Sequence, residues 1–257
     1  MCRLLGHAST TPTSLLELLG DADLESFTAL SRKHGDGWGT ARAAGHALAV
    51  EKAPDAAHAS RRFAELARED SSDLALVHLR WATLGLPVEP DNTHPFSDGR
   101  LAFAHNGSVT PRTVLDALVD DRVRPLQRGD TDSELLFLAL LSRLPDGPVT
   151  DDQVVRAYAQ MLAEVHALLP GCSLNSLLLT PTRLVAACRH DPAGHEYGDV
   201  DYYRLGWHAT VSRVVVASSG WGRDWTDLPN GHLLEVDRGT LHTRVSPLPE
   251  AAGPHVV

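Results

Sequence analysis

A cysteine directly follows the initiator methionine, in Met1-Cys2-Arg3-Leu4-Leu5-Gly6. The small side chain at this position permits an aminopeptidase to remove Met1, so that the mature chain would begin at Cys2. That residue would then carry a thiol and a free α-amine, with unperturbed pKa values of about 8.5 and about 7.7–8.0. The amine can accept the thiol proton at neutral pH, which gives a nucleophile with its own base. A cysteine also follows methionine by chance, so this interpretation needs a matching site elsewhere in the chain.

Composition limits the classes of partner. The chain has 257 residues, enough for one large domain or two small ones. Its formal net charge of −10 argues against sequence-independent binding to nucleic acid or to an anionic membrane surface. No apolar stretch approaches the ~20 residues of a membrane span, and the N-terminus lacks the apolar core of a signal peptide. We therefore expect a soluble, cytoplasmic protein without nucleic-acid or membrane partners.

The cysteines and histidines do not form a recognisable metal motif. Cys2, Cys172 and Cys188 are the three cysteines, an odd number that fits a reducing cytosol better than a disulfide framework. The fourteen histidines could suggest a metal hydrolase. However, the sequence contains no His-Glu-x-x-His and no paired cysteines. Neither a metal nor another cofactor is expected.

The order of the expected elements indicates the fold class. Early strands are expected at residues 3–8, 74–81 and 101–104, with helices at 12–19 and 56–68. A capping box, Thr131-Asp132-Ser133-Glu134, predicts a helix through residue 144, and another helix is expected at 151–169. Residues 192–208 read as an irregular loop over the site. The remaining expected strands are 174–180, 183–188, 213–218, 232–236 and 241–245. This order predicts an α+β fold.

Four further segments provide a match for Cys2: 34–39 (HGDGWG), 78–83 (HLRWAT), 92–96 (NTHPF) with 104–107 (AHNG), and 130–134 (DTDSE). In order and rough spacing they resemble the glutaminase domain of class II glutamine amidotransferases, which are N-terminal-nucleophile hydrolases. The resemblance extends over about the whole chain. It implies a single domain over residues 1–257, folded as a four-layer αββα sandwich.

The resemblance assigns one set of residues to the amino-acid end of a γ-glutamyl substrate. Arg80 offers a planar fork for the α-carboxylate, although an arginine at a strand edge can equally form a surface ion pair. Asp132 would pair with the α-ammonium, and it would also stabilise the N-terminus of its helix. Thr83 and Trp81 are assigned to substrate binding in the same segment as Arg80.

A second set is assigned to the reacting bond. Asn106 and Gly107 resemble an oxyanion hole, formed by the side-chain amide of the first and the backbone N–H of the second. Asn-Gly alone would be read as a tight turn. Together with Cys2, these two residues complete the expected catalytic set.

Other motif residues are expected to shape or support the pocket. Gly37 and Trp38 would form the pocket wall near Cys2, with a core tryptophan as the equal alternative. Arg3 would orient the N-terminus. Three further residues are expected to be structural hydrogen-bonding groups rather than catalysts: Asn92, His94 and His105.

The implied reaction is cleavage of a γ-glutamyl amide through a Cys2 thioester, with release of glutamate. The chain leaves no room for a synthase domain, so it would act as a stand-alone amidohydrolase or as the glutaminase subunit of a separate synthase. Segments 80–89, 95–99 and 216–236 are most similar to hydrolases of the ergothioneine pathway, whereas Leu4-Leu5 and residues 92–96 depart from that pattern. A γ-glutamyl amidase of another pathway and a catalytically silent sensor of glutamine stay open. So does the choice between a homodimer and a synthase partner.

The first testable prediction concerns the N-terminus. Intact-mass measurement of the purified protein should show the loss of one methionine, because the mechanism needs the free amine of Cys2. Full activity in a protein that retains Met1 would exclude the N-terminal-nucleophile mechanism.

Overall fold

One antiparallel sheet carries the N-terminal strand at its centre. The computed structural model describes residues 2–83, 85–193, 201–218 and 221–251. Within these residues, the central strand pairs on one side with a late strand and on the other with an early one. In spatial order, the seven strands of this first sheet are β11 (Thr226–Asp227), β9 (Leu205–Ala209), β10 (Arg213–Ser218), β1 (Arg3–Thr13), β4 (Ser72–Leu79), β2 (Trp38–Ala44) and β3 (Ala47–Ala53).

The second sheet is also antiparallel and is built mainly from the C-terminal half of the chain. In spatial order, its six described strands are β13 (Thr243–Pro247), β12 (His232–Asp237), β8 (Arg183–Cys188), β7 (Asn175–Leu179), β6 (Ala102–Asn106) and β5 (Phe96–Ser97). Strand β6 carries the Ala-His-Asn motif at its C-terminal end.

The two sheets pack face to face, because their strands alternate between two apolar sides. On β1, Leu4 enters the core between the sheets, whereas Leu5 enters an outer core. On β7, Leu177 faces the inter-sheet core and Leu178 faces the other outer core. All four side chains are fully buried.

Helices cover both outer faces. Against the first sheet lie α1 (Leu15–Leu19), α2 (Asp21–Ala29) and α3 (Arg61–Glu69). Against the second lie α4 (Thr113–Asp116), α5 (Asp132–Ser142) and α6 (Asp151–Leu168). The layers are therefore helix, sheet, sheet, helix, and the expected α+β sandwich is confirmed. In the part of the chain that the structure describes, no helix is long and apolar enough to cross a membrane.

The first helix begins later than expected. Pro12 lies in β1, not in a helix, since the strand continues until Thr13 pairs with Ser72 of β4. Helix α1 starts at Leu15 behind the cap Ser14, whose hydroxyl accepts the Glu17 N–H. The hairpin of β2 and β3 was not expected at all. Its short, alanine-rich strands carry little local signal, and the pairing of β2 with β4 joins the hairpin to the sheet.

Helix α5 begins where the sequence predicts, but only half of the capping box forms. The Thr131 hydroxyl accepts the Glu134 N–H at 3.1 Å. The Glu134 carboxylate accepts the N–H groups of Arg128 and Gly129, at 2.9 and 2.8 Å, instead of the N–H of Thr131. This buried carboxylate therefore fixes the loop that delivers Asp132 to the helix N-terminus.

The expected loop at 192–208 is only partly right. Residues 194–200 lie outside the described residues. The loop prediction is wrong for Leu205–His208, which belong to β9 and pair with β10. Residues 201–204 connect to that strand and approach the N-terminus of the chain, because Arg3 donates to the carbonyl of Tyr202.

Candidate active site

The nucleophile candidate and the oxyanion candidate meet where the two sheets come together. Cys2 immediately precedes β1, and Asn106 is the last residue of β6 in the other sheet. The nitrogen of Cys2 donates to Oδ1 of Asn106 at 2.9 Å. Cys2 is 6% exposed and Asn106 is fully buried, so this contact lies in a largely water-excluded environment.

That hydrogen bond also determines what the rest of the Asn106 side chain can do. Because Oδ1 accepts from Cys2, the Nδ2 group is turned the other way. Nδ2 is buried and has no hydrogen-bond partner among the described residues. An unsatisfied buried donor typically costs about 1–3 kcal/mol. A buried donor that is fixed and unused in this way can stabilise negative charge that forms on a substrate during reaction.

Gly107 occupies a position that only glycine fits. A Cβ added there would lie 2.1 Å from the Ser173 carbonyl oxygen and 2.5 Å from Nε2 of His105. Its N–H makes no hydrogen bond within the described part of the chain. The backbone thus places a second available donor directly after Asn106.

A buried polar network holds these two residues in place. Nδ1 of His105 lies 2.9 Å from the Ser133 hydroxyl, and Nε2 lies 2.8 Å from the Ser173 carbonyl oxygen. The Ser173 hydroxyl donates to the carbonyl of Asn106 at 2.9 Å. Burial lowers the pKa of His105, so its ring stays neutral. No sequence motif pointed to Ser173, which lies far from all of them along the chain.

The thiol of Cys2 is protonated at rest. Burial raises its pKa, and the charge of Asp132 adds to this effect. The charge of Arg80 acts in the opposite direction and lowers this pKa. The thiol donates a hydrogen bond to the Trp81 carbonyl, with Sγ 3.8 Å from the oxygen. Because the pKa of the Cys2 thiol is raised, a nearby base is needed to form the thiolate that would attack a substrate. The nitrogen of Cys2 itself would supply one once Met1 is removed.

The Arg80 side chain is hydrogen-bonded to the glycine-rich turn of residues 34–39. Its Nη1 donates to the Asp36 carbonyl at 3.3 Å and its Nη2 to the Pro87 carbonyl at 3.2 Å. The Asp36 carboxylate accepts the Ala82 N–H at 2.8 Å, which secures the residues that follow Arg80. Burial lowers the pKa of the guanidinium, which nonetheless remains charged because its starting value is so high. Asp36 was overlooked as a positioning residue, although it stands inside the motif.

Asp132 and Thr83, which were both assigned to substrate binding, lie in different structural settings. Asp132 is the first residue of α5, and its carboxylate accepts the N–H groups of Val109, at 2.5 Å, and Ser133, at 2.9 Å. It therefore stabilises the helix start, and its charge reaches the Cys2 thiol. Thr83 lies on an exposed turn, where its carbonyl accepts the Leu86 N–H.

Gly37 and Trp38 serve the structure in separate ways. Gly37 has φ +139°, and its carbonyl accepts the Arg80 N–H at 2.8 Å, so Gly37 helps to position the backbone of Arg80. The Trp38 ring lies in the outer core, packed edge-on against Phe63 at 5.3 Å, with its Nε1 donating to Asp55. The side chain points away from the inter-sheet space because it follows the alternation of β2. The core alternative describes Trp38, and the pocket-wall prediction does not.

Two of the three expected structural hydrogen-bonding residues have that role. Asn92 accepts the Asp130 N–H at 2.8 Å, and His105 belongs to the network above. His94 differs, since neither ring nitrogen has a hydrogen-bond partner among the described residues. Its ring instead packs on His78, with centroids 4.1 Å apart, and on Phe96. In the described ranges, no group of three or more His, Cys, Asp or Glu side chains could hold a metal ion.

Comparison with known proteins identifies the family to which the chain belongs. The family description for class II glutamine amidotransferases matches residues 1–254. The chain belongs to that family, and it is accordingly an enzyme of the class that acts on amide bonds. The resemblance stated from the sequence motifs is thereby confirmed.

Individual relatives show which members of the family the chain is similar to. A protein of Mycolicibacterium smegmatis named gamma-glutamyl-hercynylcysteine sulfoxide hydrolase is 30% identical over 262 residues, covering 96% of this chain and 100% of its own. A probable glutamine amidotransferase of Saccharomyces cerevisiae, DUG3, is 31% identical and covers 94% and 83%. Among solved structures, a glutamine aminotransferase class-II domain protein from Silicibacter pomeroyi aligns with a TM-score of 0.67 at 20% identity, covering 98% and 100%. This structural likeness supports the fold.

A glycine substitution tests the packing around the oxyanion candidates. Gly107→Ala should lower the free energy of unfolding by about 1–3 kcal/mol, because the new methyl group meets a fixed carbonyl oxygen. Gly171→Ala is the matched control, since no atom lies within 4 Å of its added Cβ. Urea denaturation of both variants measures the difference. Equal stability of the two variants would contradict the described packing of Gly107.

Proposed function

We propose that the protein is a γ-glutamyl amidohydrolase in which Cys2 attacks the amide carbonyl and glutamate is released. One observation carries this proposal: the Cys2 nitrogen is bound by Oδ1 of Asn106, whose Nδ2 is buried without a partner. A base, a thiol and an unused donor therefore occur together at one point. Family membership and the named hydrolase relatives support the same reaction class.

The steps follow from these positions. The α-amine of Cys2 takes the thiol proton, and the thiolate adds to the γ-carbonyl carbon as the carbonyl electron pair moves to oxygen. That oxyanion accepts hydrogen bonds from Nδ2 of Asn106 and the N–H of Gly107. When it collapses, the carbon–nitrogen bond breaks and the Cys2 ammonium protonates the leaving amine. Water, deprotonated by the same amine, then cleaves the thioester, releasing glutamate and restoring the thiol.

Recognition of the glutamyl end would use charges already close to the thiol. Arg80 directly precedes Trp81, whose carbonyl contacts the Cys2 thiol, and the charges of Arg80 and Asp132 shift the pKa of that thiol in opposite directions. The guanidinium of Arg80 has five N–H donors, more than the two described carbonyl contacts require. The others suit a substrate carboxylate. The carboxylate of Asp132 can accept from an ammonium in addition to its backbone donors.

The identity of the leaving group is the more specific part of the proposal. The relative from Mycolicibacterium smegmatis is named for gamma-glutamyl-hercynylcysteine sulfoxide, and its whole length aligns with this chain. We take that compound as the first candidate substrate. A γ-glutamyl amide of another pathway is the alternative.

The direct test uses the three cysteines. The Met1-processed protein is incubated with glutamine and with a panel of γ-glutamyl amides, and glutamate release is measured by mass spectrometry. Cys2→Ala should abolish release, whereas Cys188→Ala and Cys172→Ala should retain near-normal rates. The control thiols differ in setting, since Cys188 is buried and Cys172 is half-buried. Activity that survives in Cys2→Ala but disappears in either control would show that another residue is the nucleophile.

A second pair of variants separates chemistry from binding. Asn106→Ala should lower kcat by roughly 10²–10³, because it removes a donor that acts on charge formed in the transition state. Arg80→Lys keeps the charge but loses the fork, so it should chiefly raise KM for the γ-glutamyl substrate. Steady-state kinetics on one substrate measure both effects. An Asn106→Ala variant altered only in KM would be incompatible with an oxyanion role.

A further inference from the structure

A cavity of about 590 Å³ lies at one edge of the sandwich. It is formed where β3, the last strand of the first sheet, meets β5, the last strand of the second, and helix α5. Its volume is within the roughly 300–1,000 Å³ of small-molecule sites. The described residues that line it include none of those assigned to catalysis or to the glutamyl end. We call it the edge cavity, and the residues that matter here are Lys52, Asp91, Leu126, Arg128, Glu134 and Phe137.

One part of the edge cavity is apolar. Helix α5 contributes Phe137, Leu138 and Leu141, and β5 contributes Phe96. Leu126, which also lines the cavity, is 52% exposed. An apolar group bound there would therefore contact two aromatic residues and remove the Leu126 side chain from water.

Two cations of the edge cavity have donors to spare. The Lys52 ammonium donates to the carbonyls of Thr93 and Pro95, at 2.7 and 3.5 Å, and has a third N–H. The exposed guanidinium of Arg128 makes no hydrogen bond or ion pair with the part of the chain that the structure describes. A guanidinium binds a carboxylate through two parallel hydrogen bonds, so the edge cavity suits a ligand with a carboxylate.

One carboxylate of the edge cavity is equally uncommitted. The exposed side chain of Asp91 has no hydrogen bond or ion pair within the described ranges. The other two carboxylates are engaged, since Glu134 accepts two backbone N–H groups and Asp98 forms a salt bridge with a neighbouring arginine. Asp91 and Arg128 belong to loops in close contact, because a Cβ added at Gly129 would lie 2.6 Å from the Asp91 carbonyl oxygen.

These two loops also support the start of α5. The Glu134 carboxylate holds the N–H groups of residues 128 and 129, and Asn92 accepts the Asp130 N–H at 2.8 Å. Asp132 follows directly in the same segment. A ligand that joins Asp91 to Arg128 would therefore stabilise the backbone that positions Asp132.

We propose that the edge cavity is a regulatory site for a free α-amino acid with a large apolar side chain. The ligand carboxylate binds Arg128 and the third N–H of Lys52, its ammonium binds Asp91, and its side chain lies on the apolar part. A zwitterion fits best, because an apolar amine would meet two cations and an apolar acid would leave Asp91 unused. The binding itself is independent of the proposed function, whereas its effect on substrate affinity rests on that function.

Three ligands with one carbon skeleton test the charge pattern. L-Phenylalanine carries both charged groups, 3-phenylpropanoate lacks the ammonium, and 2-phenylethylamine lacks the carboxylate. Isothermal titration calorimetry on the full-length protein should show phenylalanine binding about 5–10-fold more tightly than either of the others, the gain expected for one charge-assisted contact at an exposed position. Equal affinity for all three would overturn the inference, since the cavity would then bind the ring alone.

Three variants locate the binding. Arg128→Met should weaken the binding of phenylalanine and of 3-phenylpropanoate about 5–10-fold without weakening that of 2-phenylethylamine. Arg156→Met is the matched control, because this exposed arginine of α6 also has no described partner and does not line the edge cavity. Arg80→Lys should likewise leave phenylalanine affinity unchanged. Binding that is lost in Arg80→Lys but retained in Arg128→Met would place phenylalanine at the glutamyl site and overturn the inference.

Kinetics then separate regulation from catalysis. Saturating phenylalanine should lower KM for a γ-glutamyl substrate about 5-fold in the unaltered enzyme, at the low end of typical coupling between sites, and should not do so in Arg128→Met. An unchanged KM in the unaltered enzyme would exclude the regulatory role. If phenylalanine binds as described but neither glutamine nor any γ-glutamyl amide is cleaved, the proposed function fails and the binding site stands.

Discussion

One hydrogen bond, from the nitrogen of Cys2 to Oδ1 of Asn106, connects the two sheets at the site. It joins residues 104 positions apart in the chain. The bond orients the nitrogen that would act as base, and it also determines which way the asparagine amide faces. Because Oδ1 is engaged, Nδ2 is left as the buried donor. A single contact thus sets the geometry of the proposed base and the proposed oxyanion donor, and that contact depends on the packing of the two sheets.

The surrounding structure keeps that contact rigid. Leu4 and Leu177 belong to the apolar core between the sheets, which holds β1 and β6 at a fixed separation. Gly107 brings the backbone against Ser173, whose hydroxyl in turn binds the Asn106 carbonyl. A site that relies on an unsatisfied donor needs this rigidity, because a mobile Asn106 amide would rotate and form hydrogen bonds with neighbouring groups.

Short motifs indicated the candidate residues whose types are dictated by chemistry. Cys2, Arg80, Asn106 and Asp132 each carry a functional group that the proposed reaction needs, and the structure brings Cys2 and Asn106 together. Ser173 escaped, because it contributes through contacts with residues distant in the chain. Trp38 was misplaced for a related reason: a motif gives the position of a residue but not the face of the strand on which its side chain lies. The layers were predictable, whereas the β2–β3 hairpin depends on pairing with β4.

The order of strands has a consequence for how the molecule is made. Strand β1 is translated first, but its neighbour β10 ends only at Ser218, whose hydroxyl accepts the Leu4 N–H at 3.0 Å. During synthesis, one edge of β1 therefore stays unpaired until most of the chain has emerged, and such edges invite misassociation. In the finished fold Cys2 is buried. The proposed removal of Met1, which would free this amine, is therefore expected while the edge is still open, during translation.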